Sequence, residues 1–339
     1  MNYKERYIEL RKAMKCLKTI HAFEQFDFTN FFYLIDDKTK GIVLLSEELM
    51  AESSGIQIHL GESGINYLYD SFLSKTGFIL NGLCADMLTV SILKKESLLP
   101  QDIAFLKKYH IRLSSDFNII PFEFREGYDC RYMSLKKMEM VISYIYYLLS
   151  LIKNEREDIL QCFSEDKIVL AAFDTINNLY EVRYADDVTL GNMPRLKKAN
   201  SAFALEYKNS VYVDDVCYVC RYYAPTKNEY GCYDSILLGY YEKKKTHFST
   251  QISCKPHQIT DYIVGFLDEL FKREGLPTKL IFNDRRITAF MLKTLTALNI
   301  EVEFSREIEV VDTLFFEIMT DQMEKLEEGE KKQNPAFVS

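Results

Sequence analysis

Residues 280–295 read "LIFNDRRITAFMLKTL". An apolar run stops at an acid, turns on two arginines and goes on as a helix. This is the pattern of a strand that passes straight into a helix. Asp284 stands at the junction. A carboxylate there can accept hydrogen bonds from the first free N–H groups of the helix. It is also where a phosphodiester-cleaving enzyme would hold a divalent metal ion. What else the fold brings to Asp284 decides between the two.

Working outward, the residues before this junction predict a helix from His257 to Glu274. Ile259, Ile263, Phe266, Leu267, Leu270 and Phe271 share one face, and Gly275 and Pro277 are stop signals. Upstream, "SVYVDDVCYVCRYYA" reads as a strand. "DSILLGYYEKKKTHFSTQIS" reads as two strands around the Lys243–Lys245 turn. Downstream follow a helix at 287–298, a strand at 300–304 and a last helix from about 310. Strand pairs followed by helix, strand, helix, strand and helix make a mixed sheet with helices packed on it. That order is compatible with a ribonuclease-H-like layout, although fold alone does not assign function.

The first half predicts a helix over 3–22, with Tyr7, Leu10, Met14, Leu17 and Ile20 at spacings of three or four. A hairpin follows around "DDKTKG", and then a strand in "GIQIHLGESGI". "NYLYDSFL" looks helical, "GFILNGLCADMLTVSIL" reads as one or two strands, and "LLPQDIAFLKKYHI" starts a helix at Pro100 and Asp102. A long helix spans about 134–155, with Ser134 as its cap and a wide apolar stripe from Leu135 to Ile152. The charged stretch 153–167 suggests a boundary, followed by a hairpin turning at Asn177–Asn178. The expected layout is α/β (α+β) in two domains: an N-terminal α+β domain (1–155), a C-terminal α/β domain (165–325) and a flexible tail (326–339).

The 339 residues are 47% apolar and 27% charged, as in proteins with sizeable cores. Net charge is −8, which gives no support for non-specific attraction to nucleic-acid phosphates. The amino-terminal residues are charged throughout and do not read as an export signal. The longest apolar stretch, 138–152, is short for a bilayer and contains Glu139, so no membrane span is expected. Eight scattered cysteines in such a chain suggest reduced thiols in the cytoplasm.

Three short motifs carry a resemblance. Gly61 and Gly64 form a Gly-x-x-Gly after a strand. Leu98, Pro100 and Asp102 form a Leu-x-Pro-x-Asp helix start. Pro121, Phe124 and Arg125 form a Pro-x-x-Phe-Arg segment. With these, residues 41–325 resemble uncharacterised bacterial proteins made of two adjacent domains of unknown function. The resemblance implies a bacterial origin and a two-domain layout, and no activity.

Two constellations could carry chemistry. The order of Asp215 on an early strand, Asp284 after the strand that follows the first long helix, and Asp312 on a late helix is what a ribonuclease-H-like metal site needs. Against this, Asp214 is adjacent to Asp215, so only one of the two can face inward; Asp284 also fits an N-cap and Asp312 a charge offsetting a helix dipole. Cys217, Cys220, Cys232 and Cys254 are of zinc-ligand type. However, Cys217 and Cys220 lie three apart on a predicted strand, which points them to opposite faces. Arg285 and Arg286 at a helix start suit a salt bridge or an anion site.

The sequence therefore points to a non-catalytic binding or interaction protein with a protein partner and no cofactor, rather than an enzyme. The tyrosine-rich strands at 218–241 are the candidate contact surface. A metal-dependent nuclease-like enzyme and a zinc-binding module are the alternatives.

Overall fold

A computed structural model describes residues 2–27, 29–36, 39–50, 53–73, 86–174, 179–185 and 198–320. It is a mixed α/β structure with two sheets. The described residues separate into two compact units, 2–185 and 198–320. The turn expected at Asn177–Asn178, the first part of "GFILNGLCADMLTVSIL" and the tail from 326 lie outside the described residues.

The first unit is built on an eight-stranded sheet in the order β6-β5-β4-β3-β2-β1-β7-β8. Its strands are β1 (Phe32–Ile35), β2 (Lys40–Met50), β3 (Ser53–Leu60), β4 (Met87–Leu93), β5 (Asn118–Phe124), β6 (Arg131–Tyr132), β7 (Ile168–Asp174) and β8 (Leu179–Ala185). Neighbours run antiparallel except β1 and β7, which are parallel. The helices are α1 (Tyr3–Thr19), α2 (Ala22–Gln25), α3 (Gly61–Leu73), α4 (Pro100–Lys108), α5 (Leu135–Asn154) and α6 (Arg156–Ser164).

Helix α1 starts at a reciprocal cap, where Asn2 accepts from the Glu5 N–H and Glu5 accepts from the Asn2 N–H. Its buried face, Tyr7, Leu10, Met14 and Leu17, joins the α5 stripe Met138, Val141, Ile145 and Leu148 in one core on the sheet. Tyr7 is buried whole because its hydroxyl donates to the Ile119 carbonyl at 2.8 Å. A separate cluster packs Ile65 and Leu68 of α3 against Ile42 and Leu44 of β2.

The charged stretch 153–167 closes α5 and forms α6, and the chain then re-enters the same sheet. β7 pairs with β1 from Phe32↔Val169 to Ile35↔Ala172, and β8 extends the edge. The division between the compact units therefore falls between β8 and α7, beyond that stretch. Surface charge on a helix does not mark a boundary when the next strand finds a partner in the sheet already formed.

The second unit contains α7 (Ser201–Tyr207), β9 (Tyr212–Lys227), β10 (Tyr233–Tyr241), β11 (Thr246–Ile252), α8 (Ile263–Glu274), β12 (Leu276–Phe282), α9 (Arg285–Thr296), β13 (Glu301–Phe304) and α10 (309–320). The sheet order is β11-β10-β9-β12-β13. β9, β10 and β11 are antiparallel, β12 runs parallel to β9, and β13 runs parallel to β12. One face packs on α8 and α9 through Cys217, Val219, Leu237 and Leu280. The other packs on α10 through Cys220, Tyr222 and Leu238.

The predicted helix from His257 begins as a 3-10 turn (Pro256–Asp261) before α8. Gly275, at φ 88°, stops α8 in a backbone region that side chains disfavour, and its N–H returns to the Phe271 carbonyl. Pro277 does not end the helix but sits inside β12, at a register irregularity between Pro277 and Lys279. There its missing N–H is tolerated.

Candidate functional site

β12 runs parallel to β9 as far as Phe282↔Val219. The next residue, Asn283, is buried and continues the ladder with its side chain. Its Oδ1 accepts from the Arg221 N–H at 2.7 Å and its Nδ2 donates to the Arg221 carbonyl at 3.3 Å. This two-point clamp fixes where Arg221 meets the start of α9.

Asp284 is the N-cap of α9, in extended backbone at φ −118°. Its Oδ1 accepts from the backbone N–H groups of Arg286 at 2.8 Å and Ile287 at 3.2 Å. Its Oδ2 accepts from Arg221 Nη1 at 3.0 Å and Arg286 Nη2 at 3.2 Å. A carboxylate offers about four lone-pair directions, and four N–H donors occupy them here. Burial alone would raise this carboxyl, but the Arg286 and Arg221 guanidiniums beside it outweigh that effect and hold it well below the usual carboxylate range.

Arg221 lies mid-strand in β9 and is only 5% exposed. Beyond Asp284, its Nε and Nη2 donate to the buried Ser235 hydroxyl, and Nη2 also donates to the Tyr223 hydroxyl at 2.9 Å. A buried guanidinium without such partners would be strongly destabilising. The Arg285 guanidinium lies 4.2 Å from the centre of the Phe304 ring.

The other expected acids lie elsewhere. Asp215 stands at the opposite end of β9, beside Thr278, whose hydroxyl donates to the Asp215 carbonyl. At about 3.3 Å per strand residue, the run from Thr278 to Asp284 spans roughly 20 Å. Asp215 accepts from the N–H groups of Val216, Lys243 and Lys244, and so closes the turn between β10 and β11. Lys243 pairs with Asp214 at 2.7 Å. Asp312 caps the start of α10 by accepting from the Ile308 N–H at 3.0 Å, and it also accepts from the Tyr222 hydroxyl. Burial raises the Asp312 carboxyl. Tyr222 packs on the α10 face and stacks on Phe315, while its neighbour Arg221 points to the other face. The three acids are thus held apart by the sheet itself.

The thiols divide in the same way. Cys217 belongs to the α8 and α9 face and Cys220 to the α10 face. Cys232 and Cys254 lie together around Asn228, which accepts from the Cys232 thiol and donates to the Cys254 carbonyl. Burial pushes the Cys217, Cys220 and Cys254 thiols up, away from the thiolate form that binds zinc. Among the described residues, no group of three or more His, Cys, Asp or Glu side chains is arranged to hold a metal ion.

Across the tyrosine-rich stretch 218–241 the rings divide between core and surface: Tyr218, Tyr223 and Tyr233 are half-buried and Tyr230 is exposed. Tyr222, Tyr240 and Tyr241 are buried, and the Tyr241 hydroxyl donates to the Gly275 carbonyl. Alternation along β9 and β10 turns these rings into both cores, one above and one below the sheet.

Sequence reasoning missed Arg221. The available signal was a lone charged residue inside the apolar run "VCYVCRYYA". An arginine buried in a strand needs a carboxylate or several acceptors. No family model, curated protein or solved structure matches the chain. No helix among the described residues is long and apolar enough to cross a membrane.

Proposed function

We propose that this chain is a non-catalytic binding protein of two domains, whose C-terminal domain has a ribonuclease-H-like layout with an arginine in place of divalent metal ions. The layout is supported by the strand order β11-β10-β9-β12-β13, with an antiparallel meander followed by two parallel strands. One observation carries the functional part. Where a two-metal site needs an acid on the first strand to face the acid after β12, β9 presents Arg221 to Asp284. The guanidinium supplies the positive charge, and all four acceptor directions of Asp284 are taken.

An arginine is covalently part of the chain, cannot exchange and carries no activatable water. The same carboxylate that would hold a catalytic ion therefore holds the scaffold. Recognition passes to other surfaces. The expected setting is a reducing compartment, where buried thiols such as Cys217 and Cys220 stay unbridged.

The test is incubation of the full chain with single- and double-stranded RNA and DNA in Mg²⁺ or Mn²⁺. No cleavage above a protein-free control is expected. Metal-dependent cleavage that disappears in Asp284→Asn would refute the reading.

A further inference from the structure

The first unit holds a cleft of about 400 Å³, within the range of small-molecule sites. It opens where the ends of β3 and β5 meet the start of β4, between the amino-terminal ends of α3 and α5. A Cβ at Gly64 would lie 2.4 Å from the carbonyl of Asp86, one of the lining residues, so only glycine lets the start of α3 approach it this closely. Two parts of the sequence that were read separately, the Gly-x-x-Gly after β3 and the Phe-Arg pair at the end of β5, meet at this cleft through Gly61, Phe124 and Arg125.

Its charge is specific. Arg125, Arg131 and Lys137 line it against Asp86 and Glu123, three cations to two carboxylates. Ser134 also lines it, and it caps the 20-residue α5. The first N–H groups and dipole of a helix of that length favour an anion.

The second, independent feature is Glu123. It lies in β5 and is 1% exposed. Arg131 engages only Oε1, leaving Oε2 buried and without a hydrogen-bond partner. A buried carboxylate oxygen left unpaired is costly. Glu123 is among the residues lining the cleft, whose other groups attract negative charge, so a donor on a ligand seated there would satisfy this oxygen.

We infer that this cleft binds a small ligand carrying both an anionic group and an N–H donor. The anion lies against Arg125, Lys137 and the start of α5, and the donor reaches Glu123 Oε2. Nucleoside monophosphates and acidic amino acids share that chemistry. The cleft lies wholly within the first unit, so the inference stands or falls separately from the reading of Asp284.

The test is isothermal titration of the full chain with the four common nucleoside monophosphates, with glutamate and with inorganic phosphate. A nucleotide or glutamate should bind, and which of them binds tighter identifies the source of the ligand. Inorganic phosphate, which lacks the N–H donor, should bind about tenfold more weakly. Glu123→Gln should weaken the bound ligand by about tenfold while leaving phosphate within about twofold. Arg125→Met, at an exposed position that threatens folding less, should weaken both by about tenfold. Two results would overturn the inference: no nucleotide or amino acid binding below about 1 mM, or unchanged affinity in both variants.

Discussion

Asp284→Asn separates the two roles of this residue. Asn caps a helix about as well as Asp, so the bonds to the Arg286 and Ile287 N–H groups survive and only the charge is lost. Two guanidiniums face that charge. Arg286 is one-third exposed (33%) and can turn to water, whereas the Arg221 side chain is 3% exposed and cannot. An uncompensated buried cation costs about 3–5 kcal/mol. Because the Ser235 and Tyr223 hydroxyls remain as acceptors, we place the loss at the lower end, about 3 kcal/mol.

The assay is urea unfolding followed by far-UV circular dichroism, with hydrogen exchange at the β9 and β12 amides to report the second unit separately. The folded carboxyl is depressed below its unfolded value of about 3.9. Its contribution is therefore fully present above about pH 4 and is lost as pH falls towards the folded value. The gap between the native chain and Asp284→Asn should be widest at neutral pH and should narrow in acid. Adding Arg221→Met to Asp284→Asn should recover about 1–2 kcal/mol, since the two sites are in contact and the unpaired charge is gone. A loss below about 1 kcal/mol at neutral pH, unchanged in acid, would mean that Asp284 is a cap and nothing more.

Three further outcomes are expected. His59 is buried, and burial pushes it down to about 4. The unfolded chain therefore takes up its proton first, and stability falls as pH drops from about 6.5 to about 4, by roughly 3 kcal/mol in all; urea midpoints of His59→Phe should lack that slope. Asp215→Ala strips the acceptor from three backbone N–H groups at the turn between β10 and β11 and should cost about 1–3 kcal/mol, read by thermal unfolding. Alkylation by iodoacetamide followed by mass spectrometry should mark the exposed Cys16 and Cys130 well before the buried Cys217 and Cys220; early modification of Cys217 would contradict its burial.

Much of the second unit was legible because its elements carry their own periodicity. The α8 face from Ile263 to Phe271, the stop at Gly275 and the passage from β12 to α9 are local patterns, and each appears where the residues place it. The opposition of Cys217 and Cys220 is likewise a consequence of strand alternation. Which tyrosines of β9 and β10 would be buried was not legible, because a run of aromatic residues looks the same until a second layer covers each face; Tyr222, Tyr240 and Tyr241 went inside and Tyr218 and Tyr223 only half so. The 153–167 stretch misled for a related reason: local charge says that a helix meets solvent, and it cannot say that β7 will pair with β1, more than a hundred residues earlier.

The sequence by itself determined the elements with the strongest local pattern, such as α1, α5, α9 and β12, because those rest on periods of two and about 3.6 and on caps a few residues away. It also determined that Asp284 begins a helix. Only the tertiary structure decided what Asp284 faces. Arg221 is 63 positions away along the chain, and nothing local records that the parallel pairing of β9 with β12 sets its guanidinium on that carboxylate. Nor could local pattern show that Glu123 would be buried with one oxygen left for a donor. Charge partners of this kind depend on strand register, which is set by the packing of whole cores rather than by neighbours in sequence.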